Sequence, residues 1–184
     1  MDAITGTAAV FGRAFAELAA ERNELEAAVR DLESARAAFA LPEMEKFFAN
    51  PLVPRAAKLE VADRVFAGCA STTFLPFLKV VVMRRRERLI PEILRAALHQ
   101  CFDLRGVVVV AITTAMELDE ELRAELHRRL EEHLGRPVHP EFRVNPNLLG
   151  GIVIRHGDRT LDASISGILR RMEDILACGL KERE

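Results

Sequence analysis

Five histidines (His99, His127, His133, His139, His156) and three cysteines (Cys69, Cys101, Cys178) are the residues best suited to ligate a metal or act as nucleophile and base. Their spacing does neither. No HxH, HExxH or CxxC pattern occurs, so no zinc set is encoded locally. Cys69 and Cys101 stand among apolar neighbours with no adjacent base, which reads as buried, inert thiols. Leu149-Gly150-Gly151-Ile152 precedes a strand, whereas a phosphate loop follows one and opens a helix. The Gly-Gly pair therefore reads as a turn or bulge that a side chain would block. Arg84-Arg85-Arg86-Glu87-Arg88 is the only basic cluster. At the end of a helix it complements the dipole, and with no second basic patch it is a poor phosphate footprint. No nucleophile–base pair, paired-carboxylate motif or cofactor fingerprint remains, so the sequence predicts a non-enzyme with no cofactor and no metal.

Composition supports that reading. The chain has 184 residues, 49% hydrophobic and 29% charged, enough apolar material for a core. With 26 Lys+Arg against 28 Asp+Glu, the net charge of −2 lacks the footprint of a general nucleic-acid binder. Aromatics are 5%, ten Phe with no Trp or Tyr, so stacking platforms for bases or sugars also lose ground. Scattered cysteines fit a reducing compartment. The start, Met1-Asp2-Ala3-Ile4-Thr5, lacks the basic and apolar regions of a secretory leader, and the longest apolar runs fall far short of the ~20 residues of a spanning helix. The expectation is a soluble chain that reaches a membrane only through partners.

The elements that must position these residues change character near Gly106. Residues 1–105 carry 15 basic and 14 acidic side chains, a net of +1, and 106–184 carry 11 and 14, a net of −3. The first part predicts a bundle of six short antiparallel helices. Val10, Ala14, Phe15 and Leu18 form one stripe of the first helix, capped by Thr5 or Thr7. The second runs from about Asn23 to Ala38, with Leu25, Val29 and Leu32 inward. A short third follows Pro42, and Pro51 and Pro54 separate it from a fourth carrying Leu59, Ala62, Val65 and Phe66, stopped by Gly68. Ser71 or Thr72 starts a fifth, with Phe74, Phe77, Leu78 and Val81 inward. A sixth holds Ile90, Leu94, Ala97 and Leu98.

The second part predicts a small α+β unit of one sheet and two helices. Val107–Thr113 reads as a strand. Asp119 caps a helix carrying Leu122, Leu126, Leu130 and Leu134, closed by Gly135. Val138–Val144 is a second strand. Ile152–Arg155 and Arg159–Asp162 flank a His156-Gly157-Asp158 turn. A last helix from about Ser164, with Asp162 as its cap, buries Ile165, Ile168, Leu169, Met172 and Leu176.

From Leu149 to Leu176 the chain reads LGGIVIRHGDRTLDASISGILRRMEDIL. This resembles the C-terminal signature of the delta subunit of F-type ATP synthase, the family that includes the mitochondrial oligomycin-sensitivity-conferring protein. Gly150, Gly151, Ile152, Ile154, Arg155, Gly157, Asp158, Asp162 and Ser164 match the family pattern position by position, and read as structural. Phe11 to Ala19 is similar to the family's first helix, and Asn50-Pro51-Leu52 and Arg88 to Leu94 also fit. Gly12 stands where Ala is commoner, Phe11 replaces a usual Tyr, and the Arg84–Arg86 run is more basic than the family pattern.

The resemblance implies a non-catalytic stator subunit of the proton-translocating ATP synthase. The domain of residues 1–105 would grip the N-terminal segment of an alpha subunit on the catalytic head, and that of 106–184 would meet the b subunits of the peripheral stalk. It also implies a peripheral membrane protein on the cytoplasmic face of a bacterial plasma membrane, engaged in ion transport and ATP synthesis. By family analogy the alpha segment lies between the first and fifth helices, on Phe11, Ala14, Phe15, Leu18, Phe77, Val80 and Val81. A durable joint of nanomolar affinity amounts to about 12 kcal/mol, which favours an apolar groove over exposed ion pairs of about 0–1 kcal/mol each. The alternative from another class is a small regulatory adaptor that binds nucleic acid through Arg84–Arg88.

Overall fold

The computed structural model describes residues 6–69, 71–157 and 159–172. It is mainly helical with a smaller α+β part, and it divides into two compact units, Met1–Arg105 and Gly106–Glu184.

In the first unit the helices are α1 (Gly6–Glu21), α2 (Leu25–Phe39), α3 (Pro42–Ala49), α4 (Arg55–Val65), α5 (Phe74–Met83) and α6 (Ile90–Leu104). α6 is the centre of the bundle. Ile90, Ile93, Leu94, Ala97, Leu98 and Cys101 are buried along it, and α1 and α2 both pack on it. α1 meets α6 through small residues: Ala8, Gly12, Ala16 and Ala19 are buried at helical spacing. At Gly12 the approach is closest, for a Cβ there would lie 2.7 Å from the Ala96 carbonyl carbon and 2.7 Å from the Ala97 nitrogen.

This close crossing corrects the expected stripe of α1. Val10 and Ala14 face outward, Leu18 is about one-third exposed, and Phe15 alone of that stripe is fully buried. Small residues won the α6 face because they let the backbones approach, and the bulkier ones were left for the other flank. Thr7 lies inside α1 rather than capping it, and Thr5 lies outside the described residues. Asn23 ends α1 instead of starting α2. At φ 57° it supports bonds from its own N–H to the Ala20 carbonyl (3.0 Å) and from the Glu24 N–H to the Ala19 carbonyl (2.9 Å), a Schellman motif. α4 stops at Phe66, before Gly68.

α5 begins at Phe74, later than Ser71 or Thr72, because the turn before it is held from outside. The Glu24 carboxylate accepts from the Thr72 hydroxyl (2.8 Å), the Thr72 N–H (3.2 Å) and the Thr73 hydroxyl (2.9 Å). Buried Asp31 accepts from the Ser71 N–H at 2.7 Å, and the Ser71 hydroxyl accepts from the Phe74 N–H at 3.3 Å. Buried Lys58 donates to the Phe48 carbonyl (2.6 Å) and to Glu87 (3.3 Å), tying α3, α4 and the 3₁₀ turn Glu87–Leu89 together.

The second unit is a four-stranded sheet in the order β2-β1-β3-β4, with β1 (Val108–Thr114), β2 (Val138–Val144), β3 (Ile152–His156) and β4 (Arg159–Asp162). β1 runs parallel to β2 and antiparallel to β3, which pairs antiparallel with β4. Pro140 is tolerated because β2 is an edge strand. Helix α7 (Glu120–Leu134) connects β1 to β2, with Asp119 accepting from the Leu122 N–H at 2.7 Å and Gly135 left-handed at its end. Its Leu126, Leu130 and Leu134 pack on buried Val110, Ile112 and Val138. Residues 165–172 form a further helix, α8.

Replacing Gly12 by Ala is expected to force α1 off α6, costing about 1–3 kcal/mol as overpacking does. Denaturant unfolding of the two proteins measures it, and an unchanged midpoint would show that the crossing relaxes freely.

Candidate functional site

A groove of about 270 Å³ runs along the outer flank of the bundle between α1 and α5. α1 contributes Phe11, Ala14, Phe15 and Leu18, with Arg22 just past its end. α5 contributes Phe77 and Val80, with Pro76 and the preceding Thr73. The two helices are joined across the floor by rings: Phe15 lies 4.7 Å from Phe77 and 6.4 Å edge-on from Phe74, and Phe11 lies 6.5 Å edge-on from Phe77. Such pairs set the width of the groove and add about 0.5–1.5 kcal/mol each beyond area burial. Phe15 is 1% exposed and forms the bottom, whereas Val80 is 44% exposed on the rim.

Of the seven residues singled out on α1 and α5, six therefore line this groove and one does not. Val81 is 1% exposed and belongs to the core with Leu78 and Val82. One residue along a helix turns the side chain by about 100°, which separates rim from core. Arg22, Thr73 and Pro76 were missed. The signal was helical spacing: Arg22 follows Leu18 by four residues and Thr73 precedes Phe77 by four.

The residues of the C-terminal stretch assemble around the start of α8. Gly151 has φ 79°, and a Cβ there would lie 2.3 Å from the Ala163 carbonyl oxygen, so only glycine fits. The Gly150 carbonyl accepts from the Ile165 N–H at 3.0 Å, and the Ile152 carbonyl accepts from the Ala163 N–H at 3.0 Å. Gly157, at φ 55°, makes the β3–β4 turn, Arg155 is exposed on β3, and Asp158 lies outside the described residues.

The cap of α8 is Ser164 rather than Asp162. The Ser164 hydroxyl accepts from the Gly167 N–H at 3.0 Å and donates to Asp162 Oδ1 at 2.5 Å, and the Ser164 N–H donates to the same oxygen at 2.9 Å. Asp162 thus orients the capping hydroxyl. Gly167 leaves room for its carboxylate, which a Cβ would meet at 2.5 Å. Bonding from Ser164 holds the Asp162 carboxyl below its ordinary range, with the charges of Arg171 and Arg170 assisting.

α8 does not bury its apolar side chains. Ile165, Ile168, Leu169 and Met172 are 44–56% exposed at i, i+3, i+4, i+7 spacing, and Leu161 beside them is exposed as well. Leu176 lies outside the described residues. The sequence reading expected these side chains to be buried, because periodicity marks an apolar stripe without showing what covers it.

The thiols and histidines take structural places. Burial pushes Cys69 and Cys101 up to about 11, with Asp31 adding to the rise at Cys69, so neither is a thiolate near neutrality. His127 Nε2 lies 2.8 Å from the Val138 carbonyl, joining α7 to β2. Among the described residues no cluster of three or more His, Cys, Asp or Glu could hold a metal ion, and no helix is long and apolar enough to cross a membrane.

This order of a helical unit followed by a small mixed-sheet unit is shared with solved structures. One chain of the cryo-EM structure of the Toxoplasma gondii mitochondrial ATP synthase hexamer superposes with a TM-score of 0.74 at 21% identity, covering 92% of this chain and 97% of that one. At that identity the likeness speaks for the fold. The family follows from sequence. The model of the ATP synthase delta (OSCP) subunit family matches residues 8–176, and the chain belongs to that family. It is 35% identical over 156 residues to the ATP synthase subunit delta of Desulforamulus reducens, covering 84% of this chain and 86% of the relative. It is 34% identical over 167 residues to that of Symbiobacterium thermophilum, covering 90% of each.

Ser164→Ala is expected to lower the stability of the second unit by about 1 kcal/mol, as loss of an N-cap does, and to speed hydrogen exchange at the Gly167 amide. The depressed carboxyl of Asp162 contributes stability that is complete above the unfolded value of about 3.9 and is lost as pH falls through the lower folded value. Protection of the Gly167 amide, taken relative to its intrinsic exchange rate at each pH, should therefore fall only in that acid window, and a loss of protection that begins near neutrality would contradict it.

Proposed function

We propose that this chain is a non-catalytic stator component of a proton-translocating F-type ATP synthase, with each unit holding a different partner. The Met1–Arg105 unit seats the N-terminal segment of an alpha subunit in the α1–α5 groove. The Gly106–Glu184 unit meets the b subunits of the peripheral stalk. Proton flow turns the rotor, and a link from head to stalk keeps the catalytic head from turning with it. The chain would act at the cytoplasmic face of a bacterial plasma membrane, attached through the complex.

The observation that carries this reading is the α1–α5 groove itself, in a chain of the delta family. From Phe11 to Arg22 it spans about 16 Å, roughly three helical turns. Its lining is mostly apolar, with the three rings of Phe11, Phe15 and Phe77 and the small Ala14, the lining that suits the apolar face of an amphipathic helix. A joint under sustained torque needs slow dissociation, which buried apolar contact supplies better than solvated charge pairs. For the stalk, the exposed stripe Ile165–Ile168–Leu169–Met172 supports a helix-pairing surface on α8.

Calorimetric titration of the full chain with a synthetic peptide of the alpha N-terminal segment should give a one-to-one complex. Phe77→Ala should weaken it by about 2 kcal/mol, some thirtyfold, as expected of a buried aromatic anchor, and Val80→Asp should weaken it through a desolvated charge. Both variants should keep the wild-type circular dichroism. A wild-type chain that gives no heat with the peptide would overturn the groove assignment. Failure to co-purify with other ATP synthase subunits from a mild-detergent membrane extract would overturn the function.

A further inference from the structure

The Arg84–Arg88 run continues the groove. Thr73, Phe77, Val80 and Arg84 fall within about 60° of one another around the α5 axis, and Arg84 stands about 6 Å beyond Val80. The Arg84 N–H still bonds the Val80 carbonyl at 2.9 Å, so the helical spacing holds to that residue. After it the chain closes in a Schellman motif: Arg85 N–H donates to the Val82 carbonyl and Arg86 N–H to the Val81 carbonyl, both at 3.1 Å. Arg85 occupies the left-handed position, φ 56°, that this motif ordinarily gives to Gly or Asn. One cation would satisfy the helix dipole. Here four arginines crowd the end, one of them in a conformation disfavoured for its type.

Their charge is uncompensated among the described residues. Arg84, Arg85, Arg86 and Arg88 are exposed, and none makes a side-chain ion pair among the described residues. The acid in their midst, Glu87, is taken by buried Lys58. Several other arginines are paired: Arg128 with Glu125 and Glu132, Arg129 with Glu125, Arg13 with Glu17, Arg64 with Glu60. The other end of the groove differs. Arg22 there bonds the Thr72 hydroxyl at 3.1 Å, and its charge acts on Glu24. The groove is therefore apolar along its length, balanced at one end and strongly cationic at the other.

We propose that the Arg84–Arg88 cluster reads an acidic flank on the segment that occupies the groove, fixing the direction in which that segment lies and drawing it in from solution. This rests on the reading that the groove holds the alpha N-terminal segment. The apolar lining holds the guest, and the cluster selects its orientation and speeds its arrival. Rim charges act in that way, on association rate and salt dependence more than on dissociation.

The test is stopped-flow association of the full chain with the alpha peptide at low and high salt. Three further arms use a peptide with its Asp and Glu changed to Asn and Gln, the chain with Arg84, Arg85, Arg86 and Arg88 changed to Gln, and a single-stranded RNA probe. The wild-type association rate should fall about tenfold or more as salt rises. Both the neutral peptide and the Gln variant should associate slowly and nearly independently of salt, with dissociation little changed, whereas Phe77→Ala should mainly raise dissociation. Tight binding with a salt-independent rate, or a Gln variant with the wild-type salt dependence, would overturn the inference and leave the groove reading standing. RNA binding lost in the Gln variant, with peptide association unaffected, would assign the cluster to nucleic acid and likewise overturn it. A wild-type chain that binds no peptide at any salt would overturn the groove reading and the inference with it.

Discussion

The approach of α1 to α6 at Gly12 is the constraint from which the helical unit follows. With Ala96 and Ala97 where a Cβ on α1 would have to go, the two helices meet backbone to backbone. That contact uses the small residues of α1 and leaves Phe11, Ala14 and Leu18 on a different flank. α5 cannot approach that flank as closely, because Phe15, Phe74 and Phe77 stand between the helices at 4.7–6.4 Å between ring centres. The groove is the space left when one pair of helices is packed through glycine and alanine and the next through phenylalanine. Gly12, a departure from the commoner Ala of the family pattern, tightens the first contact without touching the second.

A comparable economy governs the second unit. The signature residues around α8 are each spent on local geometry: Gly151 on a backbone contact, Ser164 on the cap, Asp162 on orienting that cap, Gly167 on giving Asp162 room. None of them reaches outward. What they hold in place is the start of a helix whose described apolar stripe is left open to solvent. These residues therefore specify the mount, and Ile165, Ile168, Leu169 and Met172 form the surface that is mounted.

The architecture was legible because each element carried its own marker. Asp119 and Gly135 bracket α7, Pro91 opens α6, and the β-branched run after Gly106 can only be a strand of this length. What was not legible depended on groups distant in sequence. Ser71 and Thr72 look like caps, but the start of α5 is fixed by Glu24 and Asp31, some 40–48 residues earlier. Val81 looks like a neighbour of Val80 yet turns about 100° away into the core, because α5 alone does not reveal on which side α4 and α2 lie. Periodicity finds an apolar face on α1 and on α8. It does not distinguish a face buried by the chain from one left open, since both need the same residues.

The titratable groups with displaced equilibria make the same division between mount and surface. Glu24 is held low by the hydroxyls of Thr72 and Thr73, Asp162 by Ser164, and the two described thiols are pushed up by burial. In an enzyme such displacements gather in a cleft, around an atom that reacts. Here Glu24 marks the entry to α5, Asp162 the cap of α8 and Cys101 the core, while Arg13, Glu125 and Arg128 belong to exposed ion pairs along α1 and α7. The four exposed arginines after Val80 make no side-chain ion pair among the described residues. Perturbation in this molecule marks what is already satisfied. The surfaces that remain unsatisfied, one apolar and edged with positive charge and one apolar along a helix, are where a second polypeptide would be felt.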